Sequence, residues 1–222
     1  VILEMRGISK FFPGVKALEN VDFTLRKGEI HALMGENGAG KSTLIKVLTG
    51  VYQKYAGTVS IEGQPVIIRS PQSAQKNGIS TVYQEITLCN NLSVAENIYI
   101  GRTNGAFTNW KKMNDGARKI LEDLQIPCTP EQQLSSCSIA VQQMVAIARA
   151  VDMECKILIL DEPTSSLDEQ EVEKLFKLML NLKNKGVGII FVTHFLEQVY
   201  AVCDRITVLR DGKLVDEYLI AD

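Results

Sequence analysis

The spacing of apolar residues divides the chain into a strand-rich first third and a mainly helical middle. Short, partly alternating apolar segments predict four strands early in the chain, at "LEMRGIS", "VDFTL", "IHALMG" and "GTVSIEG". Turn residues separate them, at 13–14, 27–28 and 62–63. A short helix is predicted to begin at Lys41. From about Ser93 to Val151 the spacing is mostly helical, in "SVAENIYI", "NDGARKILEDL" and "SIAVQQMVAIARAV".

The last third alternates strand and helix patterns. The segments "KILIL" (156–160) and "GVGIIFVT" (186–193) are typical of short buried strands, and a helical pattern lies between them. That helix follows "DEQEVEK" (168–174), whose acidic residues suit a helix N-terminus. The alternation predicts βαβ units and a mainly parallel sheet. The simplest architecture is an α/β core with a helical insertion.

Composition narrows the class of protein. The 222 residues suffice for one full core, or for two closely joined lobes, and 45% hydrophobic with 23% charged residues is typical of a globular protein. The net charge of −2 indicates no broad basic surface for nucleic acid. No signal peptide is predicted, and the longest apolar runs are too short to span a bilayer. Five cysteines without paired spacing favour free thiols in a reducing cytoplasm.

A glycine-rich segment follows the third predicted strand and precedes the predicted helix. "GENGAGKS" (35–42) matches the phosphate-loop pattern G-x-x-x-x-G-K-[ST] at every position. Glycines let successive backbone N–H groups point at phosphate oxygens, and the helix N-terminus favours negative charge. A ligand-free glycine turn is disfavoured by the complete register and the flanking elements. The predicted nucleotide-binding residues are Gly35, Glu36, Asn37, Gly38, Ala39, Gly40, Lys41, Ser42 and Thr43.

The roles of the polar residues follow from this ligand. Lys41 is expected to neutralise the β- and γ-phosphates, and Ser42 to help hold Mg²⁺. In "ILILDEP", Asp161 and Glu162 end a buried strand, where open α/β sheets bind ligands. Asp161 is expected to bind Mg²⁺, directly or through water, and Glu162 to polarise the attacking water. Two adjacent acids could also form a solvated turn, but the phosphate loop favours the catalytic interpretation.

Two further polar side chains follow predicted strands. His194 ends "FVTHF", whose strand should lie beside that of Asp161, so contact with the γ-phosphate is predicted. A structural role is the alternative for a single histidine. Gln84, in "TVYQE", is expected to touch Mg²⁺ and the attacking water where the strand-rich core meets the helical segment. His31, the other histidine, lies inside a predicted strand and is interpreted as a core or edge residue.

In this order the motifs resemble those of the ATP-binding cassette (ABC) ATPases, over essentially the whole chain. The matching features are the phosphate loop, Gln84, a signature segment "CSIAVQQ", the acidic strand end, an aspartate loop "SSLD" and His194. The resemblance implies a P-loop NTPase core with a mainly parallel sheet, an N-terminal antiparallel β subdomain and an inserted α-helical subdomain. Residues 1–85 and 151–222 would form the core and β subdomain, and residues 86–150 the helical subdomain, of a single nucleotide-binding domain.

The resemblance also assigns roles that spacing alone does not. Phe12 occupies the position of the aromatic residue that stacks on adenine. Core packing is the alternative, since Phe11 is adjacent and only one of the two rings can face the base. Two cassettes of this family bind ATP between them, head to tail. Each signature covers the nucleotide of the other cassette, so the Ser138 and Asp168 regions are expected to contact a partner cassette.

The signature is irregular. The family usually has "LSGGQ", and this chain keeps Ser138 but has Ile139 and Ala140 for the two glycines and Val141 for the glutamine. The Cβ of Ala140 is expected to lie where a phosphate would approach. The alternative is a plain helix start with Ser138 as its cap, and Ala and Ile suit a helix better than Gly. Tandem relatives commonly have an atypical phosphate loop in their second cassette, which implies an asymmetric pair with one hydrolytic site.

A finer resemblance indicates a function. "KFFPGVKALENVDF" and "FVTHFLEQVYAVCDRITVLRDG" are similar to the first cassette of tandem ATPases that drive bacterial monosaccharide importers, nearest the galactofuranose type. This implies Mg²⁺-dependent ATP hydrolysis at the cytoplasmic face of the inner membrane. The implied partners are an integral membrane sugar permease, docking near residues 84–110, and indirectly a periplasmic sugar-binding protein; no nucleic acid is implied.

Two alternatives remain at this point. A soluble ATPase of translation or DNA repair would typically show basic linkers or coiled-coil insertions, and the sequence shows neither. A non-hydrolysing nucleotide-sensing module predicts loss of Glu162 or His194, and both are present.

Overall fold

The computed structural model describes residues 1–84, 88–101 and 109–220, which form two sheets and the helices packed on them. The strands are β1 (Leu3–Phe12), β2 (Val15–Leu25), β3 (Ile30–Met34), β4 (Ala56–Ile61), β5 (Gln64–Pro65), β6 (Ile79–Val82), β7 (Ile157–Asp161), β8 (Gly188–Val192), β9 (Arg205–Arg210) and β10 (Lys213–Leu219). The helices are α1 (Lys41–Leu48), α2 (Pro71–Lys76), α3 (Val94–Tyr99), α4 (Trp110–Asp123), α5 (Ile139–Asp152), α6 (Glu169–Asn184) and α7 (Leu196–Val202), with a 3-10 turn at Leu134–Ser136.

The first sheet is antiparallel and has the order β2-β1-β4-β5. β1 and β2 form a hairpin that pairs Leu3 with Leu25 at its base and Phe12 with Val15 at its tip. Leu3 and Met5 on β1 are fully buried, because alternate strand residues point to the same face, and a register irregularity after Met5 brings Ile8 to the buried face as well. β1 and β2 are longer than the predicted strands, and β1 continues to Phe12, directly before the predicted turn at 13–14.

The second sheet has the order β10-β9-β3-β8-β7-β6. Its strands β6, β7, β8, β3 and β9 pair in parallel, and β10 pairs antiparallel with β9. The prediction of a mainly parallel sheet is therefore confirmed. Parallel strands bring their carboxyl ends to one edge, so the segments after β3, β6, β7 and β8 meet there.

Two hydrophobic cores hold the layers together. One lies between the sheets around α1, with Leu44, Ile45 and Leu48 buried against the first sheet and one face of the second. The other joins the opposite face of the second sheet to α3, α4, α5 and α6. Fully burying a Leu or Ile side chain contributes about 1.5–3 kcal/mol, so both interfaces are strongly stabilised.

The helical middle segment agrees with the sequence pattern. α3 begins at Ser93, whose hydroxyl accepts from the backbone N–H of Glu96 while the Glu96 carboxylate accepts from that of Ser93. α5 begins at Ser138, the predicted cap. No helix in the described ranges is long and apolar enough to cross a membrane.

Several elements were not predicted, among them α2, β6, α7 and β9. α2 carries clear signals, since Ser70 caps it and Pro71 opens it. β9 lies inside the second sheet between β10 and β3, whereas β6 is its edge strand and pairs with β7. β6 and β9 can be recognised as strands only from the order of the sheet, because a short apolar run fits a helix or a strand equally well.

Candidate nucleotide-binding site

At several positions between β3 and α1 the backbone adopts conformations that residues other than glycine rarely adopt. Gly38 and Gly40 have φ of 84° and 105°, in the left-handed region. A Cβ at Gly35 would lie 2.4 Å from the carbonyl oxygen of Leu209, and one at Gly40 would lie 2.8 Å from that of Ala17. The loop is thus wedged between the β1–β2 hairpin and β9, and its glycines allow that close approach.

The loop's cationic side chain lies within it. Lys41 is 7% exposed, and its ammonium donates to the carbonyl oxygens of Gly35 (2.6 Å) and Glu36 (3.1 Å). α1 starts after Gly40 with no side-chain cap, so no side chain satisfies its first N–H groups. Ser42 is exposed on the first helical turn. A lysine and unsatisfied N–H groups around one curled loop suit a phosphate, which is a stronger acceptor than a carbonyl.

The acidic pair lies where the sequence predicts it. Asp161 is the last residue of β7 and pairs with Val192 of β8; the Glu162 N–H donates to the Val192 carbonyl at 3.0 Å. Burial raises the pKa of Asp161, the Glu162 carboxylate raises it further, and the Lys41 ammonium lowers it. β3 and β7 both pair with β8, so the phosphate loop after β3 and the acidic pair at the end of β7 lie at the same edge of the sheet. A divalent cation there would offset the burial cost of an ionised Asp161.

Glu162 has an unusual backbone conformation. Its φ is +47°, in the left-handed region, which is costly for a non-glycine residue and is concentrated at functional sites. The carboxylate Oε1 lies 3.5 Å from Nδ1 of His194. The predicted proximity of the His194 strand to the Asp161 strand is therefore confirmed, and the histidine meets the adjacent glutamate.

A hydrogen bond outside the predicted set links the loop after β7 to α7. Thr164, 4% exposed, lies two residues after Glu162, and its hydroxyl is 2.7 Å from Oε1 of Gln198 on α7. The N–H of Phe195 donates to the Thr193 hydroxyl at 3.1 Å, which holds the loop after β8. Nothing in the local sequence pattern identifies the pairing of Thr164 with Gln198, because the residues are far apart along the chain.

Gln84 lies on the same edge of the sheet. It is exposed, two residues after β6, and β6 pairs with β7 through Val82 and Leu160. This position is compatible with the expected contact with Mg²⁺ and water, which stays a prediction. The next residue of the quoted segment, Glu85, lies outside the described residues.

The two phenylalanines at the hairpin tip face different neighbours. Phe12 is half-buried, with its ring centroid 5.3 Å from that of Tyr52, whereas Phe11 is 37% exposed and lies 4.9 Å from Tyr55. Neither ring belongs to a main core, so both have surface available to a base. Tyr52 was missed by sequence reasoning, since a tyrosine in a loop carries no periodic signal.

The structure corrects the expectation about the signature. Ser138 caps α5 by accepting from the Val141 N–H, as predicted. However, Ala140 is only 2% exposed and points into the core, whereas Ile139 is 47% exposed. The expectation that the Ala140 Cβ faces a phosphate is wrong, because successive residues on a helix point about 100° apart and Ala140 lies on the apolar face. Ile139 is the side chain that changes this surface.

Asp168 also begins a helix. Its carboxylate accepts from the Glu171 N–H at 2.8 Å, and Glu171 accepts from the Asp168 N–H at 3.3 Å, so the pair forms a capping box at the start of α6. The side chain is exposed and held in a defined direction.

Comparison with known proteins agrees with this geometry. A family model described as ABC transporter matches residues 18–165. The galactofuranose transporter ATP-binding protein YtfR of Escherichia coli (strain K12) is 56% identical over 216 residues, covering 96% of this chain and 43% of that protein. The fructose import ATP-binding protein FruK of Bifidobacterium longum is 52% identical over 224 residues, covering 100% and 44%. The chain thus spans less than half the length of these relatives.

Solved structures agree as well. A nucleotide-free ATP-binding cassette from an ABC transporter has a TM-score of 0.88 at 28% identity, covering 98% of this chain and 91% of that one. A dimeric bacterial ABC transporter cassette has a TM-score of 0.81 at 25% identity, with full coverage of both chains. The matched motifs, the shared fold and the identity to these relatives establish that the chain belongs to the ATP-binding cassette family of ABC transporters.

Proposed function

We propose that this chain is the ATP-hydrolysing cassette of a bacterial monosaccharide importer. The observation that carries the proposal is the meeting of the Lys41 loop, the half-buried Asp161 and the Glu162–His194 pair at one sheet edge. Phosphoryl transfer requires little covalent chemistry, so positioning and charge stabilisation supply most of the acceleration. Lys41, the acidic pair and His194, arranged around the phosphate loop, supply both the positioning and the charge stabilisation.

Each residue has a distinct task in the proposed reaction. The phosphate loop and Lys41 hold the β- and γ-phosphates of ATP, and Phe12 contacts the base. Glu162 accepts a proton from the attacking water, and His194, next to it, contacts the γ-phosphate. Ser42, Asp161 and Gln84 would hold Mg²⁺, which supplies charge neutralisation on the phosphates.

A second cassette completes the site. The Ser138 end of α5 and the Asp168 loop cover the nucleotide of the partner, head to tail. The N-terminal end of α5 would then add partial positive charge to the γ-phosphate of the opposite site. The exposed side chains of Ile139 and Asp168 support this use of the surface.

The proposed permease site is a groove between the second sheet and α5. The groove has a volume of about 270 Å³ and continues to Leu88, close to the docking region expected at residues 84–110. Its lining mixes polar and apolar side chains, including Gln72, Gln75, Thr81, Ala146, Arg149 and Met153. It lies next to β6, so movement at Gln84 can be transmitted to a helix seated there.

Ala146→Arg is expected to abolish co-purification with the sugar permease, because a long charged side chain would fill the groove. The test is affinity capture of the tagged protein, co-expressed with the candidate sugar permease of its own organism, from detergent-solubilised membranes. Ala201→Arg makes the same change on the exposed face of α7, outside the groove, and should retain the permease. Equal capture by the Ala146 variant would contradict the docking site.

The transported sugar is proposed as galactofuranose-like. The support is the 56% identity to YtfR, although fructose and ribose import proteins are also similar. In this proposal the cassette lies peripherally at the cytoplasmic face of the inner membrane, and it acts on a periplasmic sugar-binding protein only through the permease.

The irregular signature supports an asymmetric pair. Ile139 places an apolar side chain on the surface that would cover the partner's nucleotide, and we propose that this composite site is mainly structural. Ile139→Gly in the whole transporter should then leave ATP turnover within about twofold of wild type.

Phosphate release by the reconstituted transporter would test the asymmetry. Ala140→Gly is the matched control, since it weakens the same helix by about 1 kcal/mol at a buried position that the nucleotide does not reach. A several-fold rise in turnover in the Ile139 variant alone would contradict a structural site.

A further inference from the structure

An aromatic and cationic cluster surrounds Phe12 at the tip of the β1–β2 hairpin. The planes of Phe12 and Tyr52 meet at 75°, in an edge-on contact with centroids 5.3 Å apart. The ammonium of Lys10 lies 5.1 Å from the Phe12 centroid and 5.7 Å from that of Tyr52. It is anchored by donating to the Gln53 carbonyl at 2.8 Å.

Tyr52 is itself attached to the phosphate-binding helix. Its backbone N–H donates to the carbonyl of Lys46 at 2.9 Å, and the Lys46 ammonium lies 5.4 Å from its ring centroid. Lys46 is in the last turn of α1, whose first residue is Lys41. One short rigid helix therefore carries the phosphate cradle at one end and Tyr52 at the other.

These contacts restrict the orientation of the Phe12 ring. Edge-on aromatic pairs and cation–π contacts are directional, so they favour one orientation over the many open to a ring on an exposed hairpin tip. Phe11 has no such attachment to α1; its ring neighbour is Tyr55, which is 75% exposed. The two neighbouring phenylalanines thus differ in what holds them.

We propose that Tyr52 is a positioning residue for the nucleotide base. It fixes the Phe12 ring relative to α1, so that the distance from this ring to the phosphate loop matches the distance from base to phosphates in a nucleotide. The inference rests on the proposed function, in which Phe12 stacks on adenine. It also assigns the stacking role to Phe12 over Phe11, because only Phe12 is tied to the phosphate-binding helix.

The test compares two probes of the same loop, ATP and inorganic tripolyphosphate, by calorimetric titration of the 222-residue chain. Tyr52→Leu should weaken ATP binding about three- to tenfold, the range expected for losing an edge-on aromatic pair. Tripolyphosphate binding should not change, since it has no base. Tyr52→Phe should restore ATP affinity, because the ring edge and not the hydroxyl makes the contact.

Tyr55→Leu is the matched control on the neighbouring aromatic pair and should leave both affinities unchanged. In a Phe12→Ala background, Tyr52→Leu should have no further effect on ATP. The positioning role would be overturned if Tyr52→Leu weakened ATP binding as much in the Phe12→Ala background as in wild type, or if it weakened tripolyphosphate binding as much as ATP binding. A larger effect of Tyr55→Leu than of Tyr52→Leu on ATP binding would overturn it as well. The wild-type chain and Lys41→Ala separate the two proposals: if wild type does not bind ATP, or Lys41→Ala binds it fully, the proposed function itself fails.

Discussion

Glu162→Gln is expected to bind ATP as tightly as wild type but to hydrolyse it at least about 100-fold more slowly, the usual contribution of a general base. Glutamine keeps the shape of the side chain but cannot take the proton of the attacking water. In the structure the carboxylate lies 3.5 Å from His194 and beside the half-buried Asp161, at the edge that holds the phosphate loop. Losing its charge removes the base and leaves the cradle intact.

A second result should accompany the lost turnover. If ATP closes two cassettes and hydrolysis reopens them, the variant should accumulate an ATP-dependent dimer. Light scattering after size exclusion, with and without ATP, measures this directly alongside phosphate release. Glu197→Gln makes the same chemical change at an exposed residue in the first turn of α7 and should behave as wild type. Unchanged turnover in the Glu162 variant would refute its role as the base.

Local signals explain why the parallel core could be predicted. The apolar runs at 156–160 and 186–193 are short, flanked by turns and separated by a helical pattern, and only a βαβ arrangement buries both. The phosphate loop was predicted residue by residue, because its glycines are required by the backbone itself, as the near contact of Gly35 with Leu209 shows. Motifs whose mechanism is local are readable from the sequence alone.

Features that depend on non-local packing were not readable. Which residue of the signature faces outward depends on the rotation of α5 about its axis relative to the core. The finding that Ile139 is exposed and Ala140 is buried therefore required the structure. The pairing of Thr164 with Gln198 brings together residues far apart in the chain. The contact between Tyr52 and Phe12 likewise depends on how the hairpin tip rests on α1.

His31, interpreted from the sequence as a core or edge residue, is fully buried on β3 between β8 and β9. Its Nε2 lies 2.7 Å from the Thr207 hydroxyl, and its ring packs 4.6 Å from that of Phe23. Burial lowers the pKa of His31 to about 4, while the nearby Glu217 carboxylate raises it and Arg26 lowers it. The histidine is therefore neutral in the folded protein at pH values where the unfolded chain would protonate it.

Other charged groups in contact with this region act on the pH dependence as well. Arg205 pairs with Glu29 at 2.9 Å and with Glu217 at 2.7 Å. Burial raises the pKa of Glu29, so the protonation of Glu29 on acidification stabilises the folded state. The protonation of His31 has the opposite effect, because its pKa is lowered by burial. The two effects oppose each other in the wild-type protein, and only a comparison with a variant separates them.

His31→Gln is therefore expected to lose less stability than wild type on acidification. A buried histidine with a depressed pKa contributes fully above the unfolded value of about 6.5, and the contribution is lost as the pH falls towards 4. The loss over that window is about 3 kcal/mol, from about 1.4 kcal/mol per pKa unit. Glutamine can still reach the Thr207 hydroxyl but does not titrate. Urea unfolding from about pH 7.5 to about pH 4.5 measures the difference.

The stability curves of the two proteins distinguish the possible outcomes. The free energies of unfolding of wild type and His31→Gln should converge below pH 6.5 if His31→Gln is the less stable at neutral pH, because wild type loses more on acidification. If the two curves of unfolding free energy against pH ran parallel across the whole window, His31 would protonate equally in the folded and unfolded states. Its burial on β3 would then not lower the stability of the protein in acid.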